Sequence, residues 1–147
     1  MKKLLLAVIG IAVFFTACRQ PQPQTGTRIV FDAGGQRVIT HSVNKRQETM
    51  SILYGNAPAY AAALSGNGLH RAGERYTFVT WKYHDNPMYY GSKINGELIS
   101  VEALQFTPAG QIDYQVMRGK VPPVNGRPLD RESRIRYLLE YRPSIMP

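Results

Sequence analysis

Residues 76–83 read Tyr-Thr-Phe-Val-Thr-Trp-Lys-Tyr, and this stretch carries the strongest β-strand signal in the chain. Nearly every position holds a β-branched or aromatic residue, the types that fit a pleated sheet. Alternation places one set of side chains on one face (Thr77, Val79, Trp81, Tyr83) and the other set on the opposite face (Tyr76, Phe78, Thr80, Lys82). Because both faces carry large groups, the pattern predicts a central strand that is covered on each side.

Shorter β-type runs surround this strand and are separated by turn signals. We expect a hairpin of 28–31 with 37–43 around Gly34-Gly35, and a half-buried strand over 48–54. Asp85-Asn86-Pro87 ends the central strand, and a second hairpin is predicted from 98–107 and 112–118. These short runs and turns predict a mostly antiparallel sheet.

Two short helices complete the predicted domain. Asn56 is a good N-cap for a helix over 57–64 that ends at Gly66, and Asp130 can cap a final helix running to about Tyr141. The final helix has an apolar stripe (Ile135, Leu138, Leu139), with arginines mainly on its remaining face (Arg131, Arg134, Arg136, and Arg142 beyond it). The fold class is therefore α+β: a mostly antiparallel β-sheet with two short helices in one domain, 28–147.

The N-terminus reads as a targeting segment. Lys2 and Lys3 precede a short apolar run, and Thr16-Ala17-Cys18 supplies small residues at a cleavage point, which predicts a signal peptide over 1–17. The run is shorter than the roughly 20 residues that span a bilayer. This segment resembles the bacterial lipobox, with Phe15 in place of the usual Leu. The resemblance implies cleavage before Cys18 and lipid modification of its sulfur, with palmitate among the attached acyl chains.

Lipidation at Cys18 implies a protein anchored in the cell envelope and facing the periplasm. Residues 18–27 are polar and contain two prolines, so they are predicted to form an extended tether. No acidic residue follows Cys18 directly, which by similarity to enterobacterial sorting rules favours the outer membrane over the inner. With a formal charge of +8, the chain has a basic excess. In this compartment the excess favours contact with anionic lipid, and no nucleic-acid partner is expected.

Several kinds of chemistry lack support in the sequence. Cys18 is the only cysteine, so lipidation leaves no thiol for a disulfide, a catalytic thiolate or a zinc cluster. No two of the three histidines (His41, His70, His84) fall at metal-ligand spacing on one predicted element, and no metal site is predicted. Serine catalysis lacks a Gly-x-Ser-x-Gly context. Whether the protein is an enzyme stays open, and the sequence leans against it.

Residues 48–147 resemble the cytochrome P-460 family of bacterial extracytoplasmic proteins. Four stretches carry the resemblance: 50–56 (MSILYGN), 77–82 (TFVTWK), 85–94 (DNPMYYGSKI) with 100–102 (SVE), and the stretch from Arg134-Ile135 to Ile145-Met146-Pro147. Members of that family are β-rich, often dimeric proteins that oxidise hydroxylamine or bind nitric oxide at a haem attached through Cys-x-x-Cys-His. This chain has no such motif. The resemblance therefore implies the fold, the compartment and a homodimer, without the covalent c-type haem or its chemistry.

Three functions follow from these observations. The first is a haem-free binding or accessory lipoprotein whose ligand pocket is formed by Trp81, Tyr83, His84, Met88, Tyr89 and Tyr90. Core packing is the competing explanation of these aromatic residues. The second function is a redox enzyme, or a sensor of nitric oxide or hydroxylamine, that binds haem non-covalently through His84 or His41. The third is a structural envelope lipoprotein without a small ligand.

Overall fold

A computed structural model describes residues 30–143, so the predicted signal peptide, Cys18 and the tether lie outside the described residues. Within that range the strands are β1 (Arg37–Asn44), β2 (Thr49–Gly55), β3 (Arg75–Asp85), β4 (Lys93–Phe106) and β5 (Ile112–Gly119). The helices are α1 (Ala57–Ser65) and α2 (Arg131–Leu139). The α+β class is confirmed. None of the helices between residues 30 and 143 is long and apolar enough to cross a membrane.

The five strands form one antiparallel sheet in the order β1-β2-β3-β4-β5, so each strand pairs with its neighbour in sequence. β3 is the middle strand, and it contains the whole stretch Tyr76–Tyr83 that predicted a central position. The hairpin of β4 with β5 is also confirmed, with Leu104 opposite Tyr114. β4 begins at Lys93, five residues before the sequence signal.

The predicted first hairpin is not formed by the described residues, and its positions 28 and 29 lie outside them. β1 pairs with β2, from Arg37 opposite Gly55 to Asn44 opposite Thr49, and residues 30–36 form no strand. Gly34 and Gly35 turn the chain with φ angles of 58° and 79°. Phe31 meanwhile packs on Tyr54 of β2, with 5.8 Å between ring centroids. Burial of this aromatic ring against the sheet replaces strand pairing of its backbone.

Both helices begin as their caps predict. Asn56 Oδ1 accepts a hydrogen bond from Ala59 N at 3.1 Å, and Asp130 Oδ1 accepts one from Ser133 N at 2.8 Å. These bonds satisfy backbone donors that the first helical turn leaves without partners. α2 ends at Leu139, two residues before the predicted end at Tyr141.

The helices cover only one face of the sheet, which we call the helix face. Its buried cluster joins Leu53, Tyr76, Phe78, Leu104 and Phe106 of the sheet to Ala59 of α1 and to Ile135 and Leu138 of α2. The opposite face, which we call the open face, buries Val79, Trp81 and Val101, with Phe31, Met50, Ile52, Tyr54 and Leu98 packed around them. No helical residue belongs to this second cluster. The prediction that β3 is covered on both faces is thus confirmed. Two helices cover one face, whereas a smaller cluster without helical residues covers the other.

One of the predicted surface arginines is buried. Arg134 has 4% of its surface exposed and forms a bidentate ion pair with Glu102 of β4, whereas the sequence pattern placed it on a cationic outer face. The reason is helical geometry, because Arg134 and Leu138 are four residues apart and therefore share the face that meets the sheet. Arg131 and Arg136 remain exposed, as predicted.

Candidate functional site

A cavity of about 390 Å³ lies on the open face, and we call it the apolar cavity. Its volume is within the range of about 300–1,000 Å³ that is usual for small-molecule sites. Most of its wall is apolar or aromatic: Val30, Phe31, Val43, Met50, Ile52, Tyr54, Trp81 and Ile94. Five polar residues lie among them: His41, Ser42, Ser51, Lys93 and Asn95.

Sheet register explains why these residues meet. Val43 of β1 lies opposite Met50 of β2, and Met50 lies opposite Trp81 of β3. A second row runs from His41 to Ile52. Since side chains two residues apart along a strand point to the same side, both rows face the apolar cavity. The register between β3 and β4 shifts on each side of Trp81, and such irregularities locally redirect a strand.

Trp81 is the most informative residue of the wall. Its side chain is almost completely buried, yet its indole Nε1 has no hydrogen-bond partner among the described residues. A buried donor without an acceptor destabilises a folded protein by about 1–3 kcal/mol. Packing of the ring alone does not remove that penalty, whereas a bound acceptor that reached Nε1 would.

The structure does not bring the six predicted pocket residues together. Trp81 lines the apolar cavity, but the other five are not among its lining residues. Tyr83 is half-buried, with Lys93 Nζ 5.5 Å from its ring centroid. His84 is exposed, with Nδ1 3.0 Å from the carbonyl oxygen of Asp85.

The remaining three residues lie on the turn between β3 and β4. Met88, Tyr89 and Tyr90 are exposed by 79%, 68% and 108%. A hydrogen bond from Asn86 N to the Ser92 carbonyl, at 2.9 Å, closes this turn beyond the end of the paired strands. The side chains therefore extend past the sheet and away from the cavity around Trp81, which corrects the predicted grouping.

His41 and His84, the two proposed haem ligands, are both exposed but differ in their position relative to the apolar cavity. His41 lies in the wall of the apolar cavity, which His84 does not line. Lys93 adds a cationic group to the same wall and forms an ion pair with Asp85. The hydrogen bond from the Lys93 ammonium to the Asp85 carboxylate raises the pKa of Lys93, so this ammonium stays charged at neutral pH. The cavity is thus apolar with a histidine and a cation on its wall.

A buried ion pair on the helix face was missed by the sequence analysis. Glu102 Oε2 accepts from Arg134 Nε at 2.8 Å, and Oε1 accepts from Nη2 at 2.7 Å. The Tyr114 hydroxyl donates to Glu102 Oε2 at 2.8 Å. Burial, followed by this hydrogen bond to Glu102, raises the pKa of Tyr114 well above its usual range. Although burial alone lowers the pKa of Arg134, the bonds to Glu102 raise it overall. The signal available in the sequence was the position of Glu102 within an apolar strand.

A second polar cluster that the sequence analysis missed fixes the loop before β3. Glu74, 1% exposed, accepts from the Tyr76 hydroxyl at 2.9 Å and lies 2.8 Å from His70 Nδ1. Its other oxygen accepts from Arg71 N at 2.7 Å. The His70 ring stacks on Phe106 at 4.6 Å. These contacts tie the loop to the helix-face core, and the spacing of His70, Glu74 and Tyr76 was their only sequence signal.

Neither clusters of metal ligands among the described residues nor similarity to known proteins gives a further indication of function. Residues 30–143 contain no group of three or more histidine, cysteine, aspartate or glutamate side chains that could hold a metal ion. Comparison with protein-family models gave no match, and comparison with curated proteins gave none either. The functional inference therefore depends on the geometry of the chain's own residues.

Proposed function

We propose that this protein is an envelope-anchored lipoprotein whose domain binds a small, mostly apolar ligand in the apolar cavity. The observation that carries the proposal is the position of Trp81, a buried aromatic residue with an unpartnered donor in the wall of a cavity of about 390 Å³. Sites for small ligands are concave and mostly apolar, with a few polar groups that fix orientation. His41 and Lys93 supply such groups here. The ligand class is an aromatic or aliphatic molecule that carries one acceptor or anionic group.

Fluorescence of Trp81 tests the proposal, because Trp81 is the only tryptophan in the chain. The probe is 8-anilinonaphthalene-1-sulfonate, an aromatic anion that accepts excitation energy from nearby tryptophan. We expect saturable energy transfer from Trp81 to one bound probe in the cooperatively folded protein. Val43→Phe should reduce it because Val43 lines the cavity.

A matched variant guards against nonspecific effects in this titration. Val43 and Val116 are both about half exposed on strands, at 50% and 46%, but Val116 is not among the residues that line the cavity. Val116→Phe should therefore leave energy transfer unchanged. Equal loss in both variants, or no saturable transfer in the parent protein, would overturn the proposal.

The anchoring part of the proposal rests on residues 1–27. A basic start, a short apolar run and Thr16-Ala17-Cys18 support export, lipidation at Cys18 and attachment to the outer membrane. In cells fed radioactive palmitate, the parent protein should be labelled and Cys18→Ala should not. Label that persisted in Cys18→Ala would refute lipidation at this residue while leaving the cavity test untouched.

The kinship part of the proposal is a haem-free, cytochrome P-460-like domain that forms a homodimer. Its support is the resemblance over 48–147 together with the mostly antiparallel sheet. Sedimentation of the purified protein tests the dimer, since a dimer should give a species of twice the mass of the purified chain. A single species at the monomer mass across micromolar concentrations would contradict the dimer.

Non-covalent haem is the second candidate function, and His41 favours it. The chain lacks the Cys-x-x-Cys-His needed for covalent attachment, but the apolar cavity places an imidazole and the Met50 thioether in one wall. Both groups are known axial ligands of haem iron. When bound, haem would supply redox or gas-binding chemistry, and His41 would hold it in an aromatic environment.

Paired histidine variants test this candidate. Addition of haemin should give a Soret band that His41→Ala abolishes and His84→Ala leaves intact, because only His41 lines the cavity. A Soret band lost in His84→Ala would move the haem site to the β3–β4 turn. No Soret band in the parent protein would reject the haem candidate and leave the apolar ligand as the function.

A further inference from the structure

A second cavity, of about 200 Å³, lies on the helix face and differs from the first in chemistry. Hydroxyl groups dominate its wall: Ser42 of β1, Thr49 and Ser51 of β2, Thr80 of β3 and Tyr137 of α2. Arg134 lines the same space. We call it the hydroxyl cavity. The rim comes from the turn after β1 and from the segment before α2, where Gln47 Nε2 donates to the Pro123 carbonyl at 2.7 Å.

Strand register builds the floor of this cavity. Ser42 lies opposite Ser51, and Ser51 lies opposite Thr80, so one row of hydroxyls crosses three strands. Ser51 Oγ and Thr80 Oγ1 are 2.9 Å apart. Ser42 Oγ lies 3.2 Å from the Tyr141 hydroxyl, which lies 2.6 Å from that of Tyr137. A row of mutually bonded hydroxyls presents both donors and acceptors.

Two donors in the wall have no acceptor among residues 30–143. Arg134 Nε and Nη2 both donate hydrogen bonds to Glu102, whereas Nη1 donates to no residue between 30 and 143. The Thr49 hydroxyl likewise has no partner within that range. Arg134 is 4% exposed and Thr49 is 6% exposed, and neither donor atom is among the fully buried atoms without a partner, so both are accessible from the cavity. A ligand that accepts hydrogen bonds could therefore bind both donors from within the cavity.

The charges around the hydroxyl cavity indicate which kind of ligand it can bind. The guanidinium of Arg134 is already matched by the carboxylate of Glu102, and no other cation between residues 30 and 143 forms an ion pair with that carboxylate. Burial, followed by the hydrogen bond to Tyr141, raises the pKa of Tyr137, so that hydroxyl is neutral at physiological pH. The cavity and its supporting pair therefore have no net charge. A buried anion would lose its hydration without gaining an unmatched counter-charge, whereas a neutral ligand loses far less.

We infer that the hydroxyl cavity binds a small, uncharged ligand rich in hydroxyl groups, of the size of a monosaccharide. Ligand hydroxyls both donate and accept, which matches the serine and threonine row, and they can accept from Arg134 Nη1 and Thr49. The rings of Phe78 and Tyr137 line the same cavity and offer apolar faces to carbon–hydrogen groups. This site is independent of the ligand proposed for the apolar cavity.

Amide chemical shifts of the purified protein test the inference. The neutral probes are glycerol, D-glucose and N-acetyl-D-glucosamine, and the anionic probes are acetate and phosphate at matched ionic strength. We expect saturable shifts at the amides of Thr49 and Thr80 with at least one neutral probe. No saturable shift with any neutral probe, as for a cavity that holds only water, would overturn the inference. Saturation by the anions alone would overturn it too.

A threonine pair assigns the binding to the cavity wall. Thr49→Val keeps the side-chain shape but removes one unpartnered hydroxyl, and it should weaken binding about fivefold. Thr77→Val is the control, because alternation along β3 points Thr77 away from the helix face. Arg134 is unsuitable as a first variant because its loss endangers folding. Equal affinity in Thr49→Val and Thr77→Val, both still folded, would contradict the assigned site.

Discussion

The two faces of the sheet use the same strands for different purposes. On the helix face, α1 and α2 bury a large apolar cluster together with the ion pair of Glu102 and Arg134. On the open face, a smaller cluster around Trp81 borders the apolar cavity, and the segment that contains Phe31 packs against it. The difference indicates that the helix face carries most of the folding stability. The open face has room for a ligand because neither α1 nor α2 covers it.

The largest effect is expected where the helix face buries charge. Arg134→Leu should lower the free energy of unfolding by about 4 kcal/mol, because it leaves the Glu102 carboxylate buried and without its cation. Denaturation by urea measures this change. Arg136→Leu is the matched control on the same helix and should change stability by less than about 0.5 kcal/mol, since Arg136 is exposed. Equal stability of the two variants would break the contrast between buried and surface charge.

Truncation on the open face should have a somewhat smaller effect. Trp81→Ala is expected to destabilise the domain by about 3 kcal/mol, at the low end for a buried aromatic residue because the ring already borders a cavity. Met88→Ala, on the exposed β3–β4 turn, should change the unfolding free energy by less than about 0.5 kcal/mol. An unchanged melting temperature in Trp81→Ala would contradict the buried position of this side chain.

Loss of the N-cap of α1 should lower the free energy of unfolding by less than Arg134→Leu or Trp81→Ala does. Asn56 Oδ1 accepts from Ala59 N and from Arg75 N, and Nδ2 donates to the Gly73 carbonyl. Asn56→Ala should therefore lower stability by about 2 kcal/mol, more than a simple cap, because it also frees the loop before β3. Asn56→Asp keeps the acceptor but not the amide donor and should lose about half as much. Equal losses of stability in the two variants would mean that the whole effect comes from the lost hydrogen bond to the Gly73 carbonyl.

The smallest effect appears only at high pH. Burial and the hydrogen bond to Glu102 raise the pKa of Tyr114 above the ordinary value of about 10. The unfolded chain therefore loses this proton at a lower pH than the folded chain. The stabilisation is complete below about pH 10 and declines as the pH rises further. Denaturation between pH 9 and 11 should show this decline, and Tyr114→Phe should make it shallower. An unchanged slope in Tyr114→Phe would refute the contribution.

The regular elements could be predicted because their signals are local. The alternation in Tyr76–Tyr83 predicted the central strand, and Asn56 and Asp130 predicted where the helices begin. The hairpin predicted around Gly34-Gly35 failed because strand pairing depends on long-range competition for the sheet face. Phe31 instead packs its ring on Tyr54 of β2, a contact between residues 23 positions apart that no local pattern shows.

The candidate site was only partly predictable. Trp81 was identified because it stands out in a strand, but its neighbours in the cavity come from β1, β2 and the segment before β1. Sequence proximity instead suggested His84, which is exposed near the end of β3, and Met88 and Tyr90, which lie on the turn beyond the paired strands. The pairing of Glu102 with Arg134 joins residues 32 positions apart, and neither position alone shows that its charge is matched.

Mapping the probe's position tests the division between the two faces most directly. Amide chemical shifts of the protein should be recorded with and without saturating 8-anilinonaphthalene-1-sulfonate. The largest changes are expected at Val43, Met50 and Ile52, with a large shift of the Trp81 indole proton, because these groups border the apolar cavity. Amides of α1 and α2 should change little. Largest changes on those helices, or on the turn that carries Tyr89 and Tyr90, would contradict a ligand site on the open face.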